Sequence, residues 1–336
     1  LTRRSRDSRR RRDNLPAVLT GVSFPILANP GGLGFTPVSE QAPAEPGDRE
    51  PESPPRVADA RIDVRLRSSQ LHANVERLRK QVELTWPREL QVIVRLGLAD
   101  GMCVLDIGSG PGYVTEALLE LLPNSPVVAV DLDPDMTAMA ATRLGAIGGD
   151  RFLGLTNSAL DLDLPDNCID FAISRYLFQH LPAPDLALTE IHRVLRPGGR
   201  LAIVDIDDAL GGIVDPPIPS LAIVGEKVAQ LQAQRGGNRY VGRTLWKLLA
   251  ATGFEGLSID TVVVHSDQVG VTPFIPQFDP DRYLPFVTTG GLTREEWENY
   301  RADFQRFLAA PHPFILHLLL VVSGRKPGAA QPGPNS

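Results

Sequence analysis

The sequence predicts an α/β fold with a mostly parallel sheet covered by helices on both faces, and two observations predict it. Short apolar runs alternate with helical patterns from residue 102 to residue 206, as in βαβ units buried on both sides. The first of these runs, Met102–Ile107, feeds a glycine loop that opens a helix, at the strand end where open α/β sheets hold their ligands.

Each element follows from its own pattern. Runs at Met102–Ile107, Pro126–Val130, Phe152–Leu155, Ile169–Ser174 and Leu201–Ile206 predict five strands. Helical patterns at Tyr113–Leu122, Asp135–Arg143 and Asp185–Leu195 separate them. A helix over Arg243–Ala251 ends at Thr252-Gly253 and leads into a strand at Leu257–Val264, and Phe314–Val322 closes a set of seven strands.

Two stretches exceed a minimal sheet. Residues 208–241 hold Pro216, Pro217 and Pro219 before a helical run, Leu221–Gln234. Residues 265–312 are rich in Pro and Phe before a second helix, whose start is marked by a capping box, Thr293 with Glu296. Trp297, Tyr300, Phe304 and Phe307 line one face of that helix at helical spacing. Both stretches follow strand ends and are expected to form a substrate cap, with structural padding the competing reading. The expected organisation is a disordered Arg/Pro-rich tail over 1–56, an N-terminal helical lid over 57–100, the main domain over 101–327 with cap insertions at about 208–241 and 265–312, and a disordered tail over 328–336.

Composition excludes several function classes. The net charge is -6, and residues 1–56 hold nine Arg against seven Asp or Glu, so the remainder carries 25 basic against 33 acidic residues. An acidic body argues against a nucleic-acid substrate, which needs a basic footprint. The apolar run near the C-terminus, Phe314 to Val322, is interrupted by His317 and is too short to span a bilayer. The arginine run near the N-terminus precedes an apolar stretch broken by Pro16, Gly21 and Pro25, so an export signal is disfavoured and a cytoplasmic protein is expected. The chain begins with Leu, and an upstream extension ahead of a start near Val57 is one reading of the tail. Two distant cysteines, Cys103 and Cys168, offer neither a zinc cluster nor a disulfide framework and read as buried thiols.

The chemistry concentrates in Val104–Gly112, VLDIGSGPG. Gly108 and Gly110 allow a sharp turn and a close backbone approach to a ligand, Ser109 lies between them, and Gly112 opens the helix. Nineteen residues beyond Gly112, Asp131 follows the second strand, where a carboxylate can accept hydrogen bonds from both hydroxyls of an adenosine ribose. The loop is G-x-G-x-G, whereas the dinucleotide fingerprint is G-x-G-x-x-G, and Tyr113 occupies the place of its third glycine. Asp106 at the end of the first strand suits the cationic amino group of a methionine moiety and would repel a pyrophosphate. Together these features favour S-adenosylmethionine over a nicotinamide dinucleotide.

With these residues in view, the stretch from about Met102 to Asp207 resembles the class I adenosylmethionine methyltransferases, in particular the group of quinone-biosynthesis C-methyltransferases and many natural-product methyltransferases. VLDIGSGPG is similar to their first motif, VVAVDLDPDM to their acidic loop, LPDNCIDFAISRYLFQHLP to their fourth-strand region and EIHRVLRPGGRLAIVDID to their fifth. LLLVVSGRKP is similar to their final strand. The resemblance implies a Rossmann-like, seven-stranded, mostly parallel sheet of order 3-2-1-4-5-7-6 with strand 7 antiparallel, helices on both faces and a mostly helical substrate cap from the insertions. It implies S-adenosylmethionine as cofactor, held by Gly108, Ser109, Gly110, Gly112 and Asp131, with Leu132 beside the adenine. At the place of the group's usual Asp-Ala pair stand Asn157, Ser158 and Ala159, so the carboxylate is missing there and the adenine edge falls to Asn157 or Ser158. Ser174, Arg175 and Tyr176 are expected near the methionine end and the transferable methyl.

Several side chains have two readings. His180, in LFQHLP, is the candidate general base, with packing as its bland role. His192 reads as a solvated residue, and His317 as packed in the sheet. Asp205 and Asp207 can orient a substrate hydroxyl or cap a loop. Arg77, Arg79 and Gln81 can reach a cofactor carboxylate from the N-terminal helix, an ordinary exposed face being favoured for Arg79. Strand 4 ends in Ser174-Arg175-Tyr176 without a carboxylate, so no divalent-metal site is expected. The expected function is methyl transfer to a small, largely apolar acceptor such as a polyketide, terpenoid or quinone-like ring, on oxygen, carbon or nitrogen. The competing class is a non-catalytic module that binds S-adenosylmethionine or S-adenosylhomocysteine, and a nicotinamide oxidoreductase fails on loop spacing.

Overall fold

The computed structural model describes residues 57–328, with side chains from residue 71 onward. The expectations for residues 1–56 and 329–336 lie outside the described residues. A long helix, α1 (Val57–Arg95), leads into strand β1 (Val104–Ile107), helix α2 (Tyr113–Leu121), β2 (Val127–Asp131), α3 (Pro134–Gly148), β3 (Phe152–Thr156) and β4 (Ile169–Arg175). Next come α4 (Pro184–Val194), β5 (Leu195–Asp205), β6 (Gly212–Asp215), α5 (Pro219–Gln234), α6 (Gly242–Ala251) and β7 (Glu255–His265). Short helical turns then precede α7 (Arg294–Ala309) and β8 (Phe314–Arg325).

Strands β3, β2, β1, β4 and β5 pair in parallel in that order, and β8 joins the far side of β5 in antiparallel register. The final strand therefore lies between β5 and β7, as the resemblance implies. The sheet has eight strands among the described residues, where the sequence reading had seven. The addition is β6, from the first insertion. β5 covers β8 only from Leu320 to Arg325, and β6 pairs the uncovered backbone from Phe314 to His317 on the same edge. A strand twelve residues long has backbone groups beyond its main partner that must find hydrogen bonds, and β6 supplies them.

Alternation along the central strands sends side chains to two cores. Leu105, Ile107, Val128, Val130, Leu201 and Ile203 meet Leu188 and Ile191 of α4 and Leu245 of α6. Val104, Val127, Phe171, Ile173 and Ala202 meet Ile93 of α1 and Val114 and Leu118 of α2 on the other face. A third core joins the end of the sheet (Val204, Val264, Leu319, Val321) to the second insertion through Phe274, Trp297, Tyr300, Phe304 and Phe307. Full burial of one such side chain contributes about 1.5–3 kcal/mol. Five of them from one insertion hold it as part of the domain, not as a loose flap. The Thr293–Glu296 capping box forms as expected at the start of α7. α5 and α7 are joined by Ser220, whose Oγ donates to Asp303 at 2.6 Å, and by the Lys227–Glu296 ion pair at 2.6 Å.

Candidate functional site

Parallel packing brings the carboxyl ends of β1, β2 and β4 together, and a cavity of about 980 Å³ opens above them. Its floor begins at the glycine loop. The amides of Gly108 and Ser109 donate to the Val130 carbonyl at 2.8 and 3.0 Å, so the loop is tied to β2. The amide of Gly110 donates to Oδ2 of Asp131 at 2.7 Å, and that of Asp133 to Oδ1 at 3.0 Å. A carboxylate has about four acceptor positions, so Asp131 keeps two for ligand hydroxyls. Asp133 caps α3 by accepting from the Asp135 amide.

Asp106 is buried at the end of β1 and accepts from Thr115 Oγ1 at 2.7 Å. Burial pushes its pKa up to about 6, although the Thr115 hydrogen bond and Arg175 pull it down. Desolvation penalises the charged form, so an arriving cation at this carboxylate is favoured.

The residues fit adenosylmethionine on the structure's own terms. Ser109 Oγ is buried without a hydrogen-bond partner among the described residues. At Gly110 the space a Cβ would fill is open. Asp131 offers acceptors for two hydroxyls, and Asp106 a counter-charge for an ammonium group.

Of the residues singled out from sequence, Asp106, Gly108, Ser109, Gly110, Asp131, Arg175 and His180 line this one cavity, together with Arg77, Gln81 and Tyr176. Gly112 does not line it; a Cβ there would meet Leu144 Cδ1 at 2.8 Å, so its role is close packing of α2 on α3. Leu132 is 72% exposed and outside the lining. Asn157, Ser158 and Ala159 lie next to β2 but also outside it. Asn157 Oδ1 accepts from the Asp163 amide at 2.8 Å, Ser158 Oγ from the Leu160 amide at 3.1 Å, and Ala159 is buried. Their side chains hold their own loop.

Arg175 reaches the cavity with its guanidinium already engaged, by Glu89 and by Thr85 Oγ1 at 3.1 Å. Arg79 is exposed and pairs with Glu76 and Glu83. Asp205 accepts from the amides of Gln179 and Ile206, and Asp207 from Arg243 and the Ala209 amide; both act as loop caps, and neither lines the cavity.

One histidine departs from the sequence reading and a second goes beyond it. His192 is not a solvated residue: it is half-buried, edge-on to Phe254 with centroids 5.0 Å apart, because α4 turns that face toward the loop before β7. His317 lies in β8 between β6 and β7, as expected, and its side chain also lines the cavity, with Nε2 3.4 Å from the Tyr176 hydroxyl. A sign of this site was available only in part: β8 is apolar on both faces, so its sequence does not reveal which side His317 takes. Tyr176 itself sits at a φ of 52°. A non-glycine residue in that region marks a backbone held by its surroundings.

His180 stands exposed at the mouth. The crowding of protein atoms, then Arg239 and Arg77, holds its pKa below the ordinary value. Burial likewise lowers His317. Both cysteines are buried, and burial pushes Cys103 up to about 12 and Cys168 to about 11, so both stay thiols. Among the described residues no group of His, Cys, Asp and Glu has the arrangement of a metal site, and no helix is long and apolar enough to cross a membrane.

Residues 105–203 match the family described as a methyltransferase domain. The chain is 32% identical over 145 residues to the ubiquinone/menaquinone biosynthesis C-methyltransferase UbiE of Hahella chejuensis, covering 41% of this chain and 58% of that one. It is 36% identical over 103 residues to the demethylmenaquinone methyltransferase of Thermus thermophilus, covering 30% and 46%. The chain thus spans about half the length of the curated relatives it matches. Among solved structures, a chain of the complex between the Haloferax volcanii Trm112 methyltransferase activator and a protein described as a methyltransferase matches with a TM-score of 0.50 at 18% identity, covering 77% of this chain and 97% of that one, which shows the fold. The matched segment begins at β1 and ends within β5, the strands that build the cavity, so the part of this chain that resembles a methyltransferase domain is the part that forms the cavity floor.

Proposed function

We propose that the protein transfers the methyl group of S-adenosylmethionine to a small acceptor with a largely apolar body, of the natural-product or quinone-like kind, in the cytoplasm and without a nucleic-acid partner. The observation that carries this is the continuity of the cavity. Asp131, Gly110 and Asp106 at one end lead without a break to Leu221, Phe274, Phe278 and Tyr283 of the insertions at the other. The insertions thereby act as a substrate cap and α1 as a lid.

Adenosylmethionine supplies an electrophilic methyl on a sulfonium when bound. Asp131 would hold the ribose hydroxyls, the Gly108–Gly110 backbone would approach the cofactor closely, and Asp106 would face the amino group. The chain's contribution to rate is positioning and exclusion of water, which can supply several kcal/mol. An acceptor hydroxyl must also lose a proton. His180 and His317 are the imidazoles lining the cavity, and both are held neutral at pH 7 and so able to accept it.

The test is calorimetric titration with S-adenosylhomocysteine, comparing wild type with Asp131→Ala. The expected result is binding weakened in the variant by about 1–3 kcal/mol, the range for loss of a hydrogen-bonding partner. Gain of one methyl mass in an acceptor screen then establishes turnover. No binding by either form would overturn the proposal.

A further inference from the structure

Arg77 projects from α1 into the cavity with neutral partners. Nη2 donates to the Asn74 side-chain oxygen at 2.9 Å and Nη1 to Oε1 of Gln277 at 3.3 Å. Gln277 lies in a short helical turn of the second insertion, Ile275–Phe278, and its Nε2 donates back to the Arg77 carbonyl at 3.4 Å. The backbone carbonyl of the same Gln277 accepts from Arg282. One neutral residue therefore clasps two guanidinium groups, and both line the cavity.

No ion pair joins either of them to a carboxylate among the described residues. The other arginines of the lining are compensated, Arg175 by Glu89 and Arg239 by Asp208. The acids of the lining have partners of their own. Asp106 takes Thr115, Asp131 takes two amides, Asp133 caps α3, and Glu226 on α5 accepts from Gln230 at 3.2 Å. Burial first, then repulsion from Arg282, pushes Arg77 down to about 10. A partly buried cation beside a second cation is stabilised by an arriving anion, through charge-assisted and bidentate hydrogen bonds.

We propose that Arg77 and Arg282 form a subsite for an anionic group, a carboxylate or phosphate, on the methyl acceptor. This deepens the methyl-transfer reading and rests on it. The acceptor is then amphiphilic, with an apolar body against Phe278 and Leu221 and an anionic end at Arg77. A carboxylate is also present on the cofactor's methionine end, but the ionisable groups coupled to Arg77 are Arg282, Tyr176 and Tyr283, from the β4 end and the second insertion. Asp106, which suits the amino group of that methionine end, instead senses Arg175 and Asp131.

The experiment uses the whole chain at constant ionic strength, with Arg77→Gln, Arg77→Lys and Arg282→Gln checked for folding by circular dichroism. Inorganic phosphate and benzoate are titrated into wild type and variants, with and without saturating S-adenosylhomocysteine. S-adenosylhomocysteine and 5′-methylthioadenosine, which lacks the amino-acid end, are titrated separately. The expected result is a loss of about tenfold or more in probe affinity in Arg77→Gln and Arg282→Gln, as for loss of a charge-assisted contact. Arg77→Lys should lose less, and S-adenosylhomocysteine affinity should hold within about twofold. Arg77→Gln weakening S-adenosylhomocysteine but not 5′-methylthioadenosine would assign the anion to the cofactor and overturn the proposal. Wild type binding neither probe would also overturn it. Probe binding that needs Arg77, in a chain that does not bind S-adenosylhomocysteine, would sink the methyl-transfer reading and leave the subsite standing.

Discussion

Arg175 at the end of β4 and Glu89 on α1, 86 residues apart, form a buried ion pair, with Nη2 to Oε1 at 2.8 Å. The Glu89 side chain is fully buried and that of Arg175 is 7% exposed. Attraction to Glu89 holds the Arg175 guanidinium firmly charged despite burial. The pair anchors the long helix over the cavity, and Thr85 one turn earlier completes the contact.

Removal of one partner leaves an uncompensated charge inside the protein. Glu89→Ala is expected to lower stability by about 3–5 kcal/mol in urea unfolding. The double variant Glu89→Leu, Arg175→Met should lose much less, because both charges leave together. Equal losses in the single and double variants would mean the pair does not hold α1.

How much of this was legible in the sequence depends on distance along the chain. The glycine loop, Asp131 and the Thr293–Glu296 capping box are local patterns, and each stands where its spacing predicts. Glu89 offered no local signal, because its partner lies on a strand 86 residues further along the chain. β6 was invisible for the same reason: four residues form a strand only because β8 outruns β5. That His317 faces the cavity was not legible, because its apolar neighbours on β8 give no alternation to orient it. Asn157 and Ser158 were named by position in the family pattern, whereas their side chains serve hydrogen bonds within their own loop.

Gly110 and Gly112 are expected to separate binding from stability. At Gly112 φ is 80° and a Cβ would meet Leu144 at 2.8 Å and Ala140 at 3.1 Å. Gly112→Ala should therefore cost about 1–3 kcal/mol from overpacking, with roughly another 1 from the left-handed backbone, read as a lowered Tm. At Gly110 φ is 55° and nothing lies within 4 Å of the added atom. Gly110→Ala should keep all but about 1 kcal/mol of stability yet lose affinity for S-adenosylhomocysteine, because the Cβ enters the ligand's space. A Gly110→Ala chain that binds as tightly as wild type would refute the role of this loop.

Phe274 and Phe278 both line the cavity, but only Phe274 is also core, at 1% exposure against half-burial for Phe278. Phe274→Ala is expected to cost about 3–5 kcal/mol by urea unfolding. Phe278→Ala should cost only about 1 kcal/mol, since the Tyr300 hydroxyl bonds to its backbone carbonyl at 2.7 Å and that contact survives. Phe278 is therefore the side chain through which acceptor binding can be probed without unfolding the insertion. Comparable losses for both would place Phe278 in the core as well.

The pH dependence of cofactor affinity follows from Asp106. Its folded pKa of about 6 lies above the ordinary value near ~3.9. The folded chain without ligand therefore holds a proton that the unfolded chain has released between those values. The stability this contributes is fully present below the unfolded value and is lost as pH rises through about 6. Ligand binding runs the other way. The amino group of S-adenosylhomocysteine is cationic throughout this range and favours the ionised carboxylate, so affinity should rise as pH increases from 5 to 7 and then level off. A gain of about tenfold over that interval is expected, one decade per unit of pH below the pKa. Calorimetry in buffers of different ionisation enthalpy should show a proton released on binding at pH 5 and little release at pH 7.5. Asp106→Asn keeps an acceptor for Thr115 but cannot ionise, so its affinity should be lower at neutral pH and flat across the range. The same slope in the variant would assign the titration to another group and remove Asp106 from contact with the amino group.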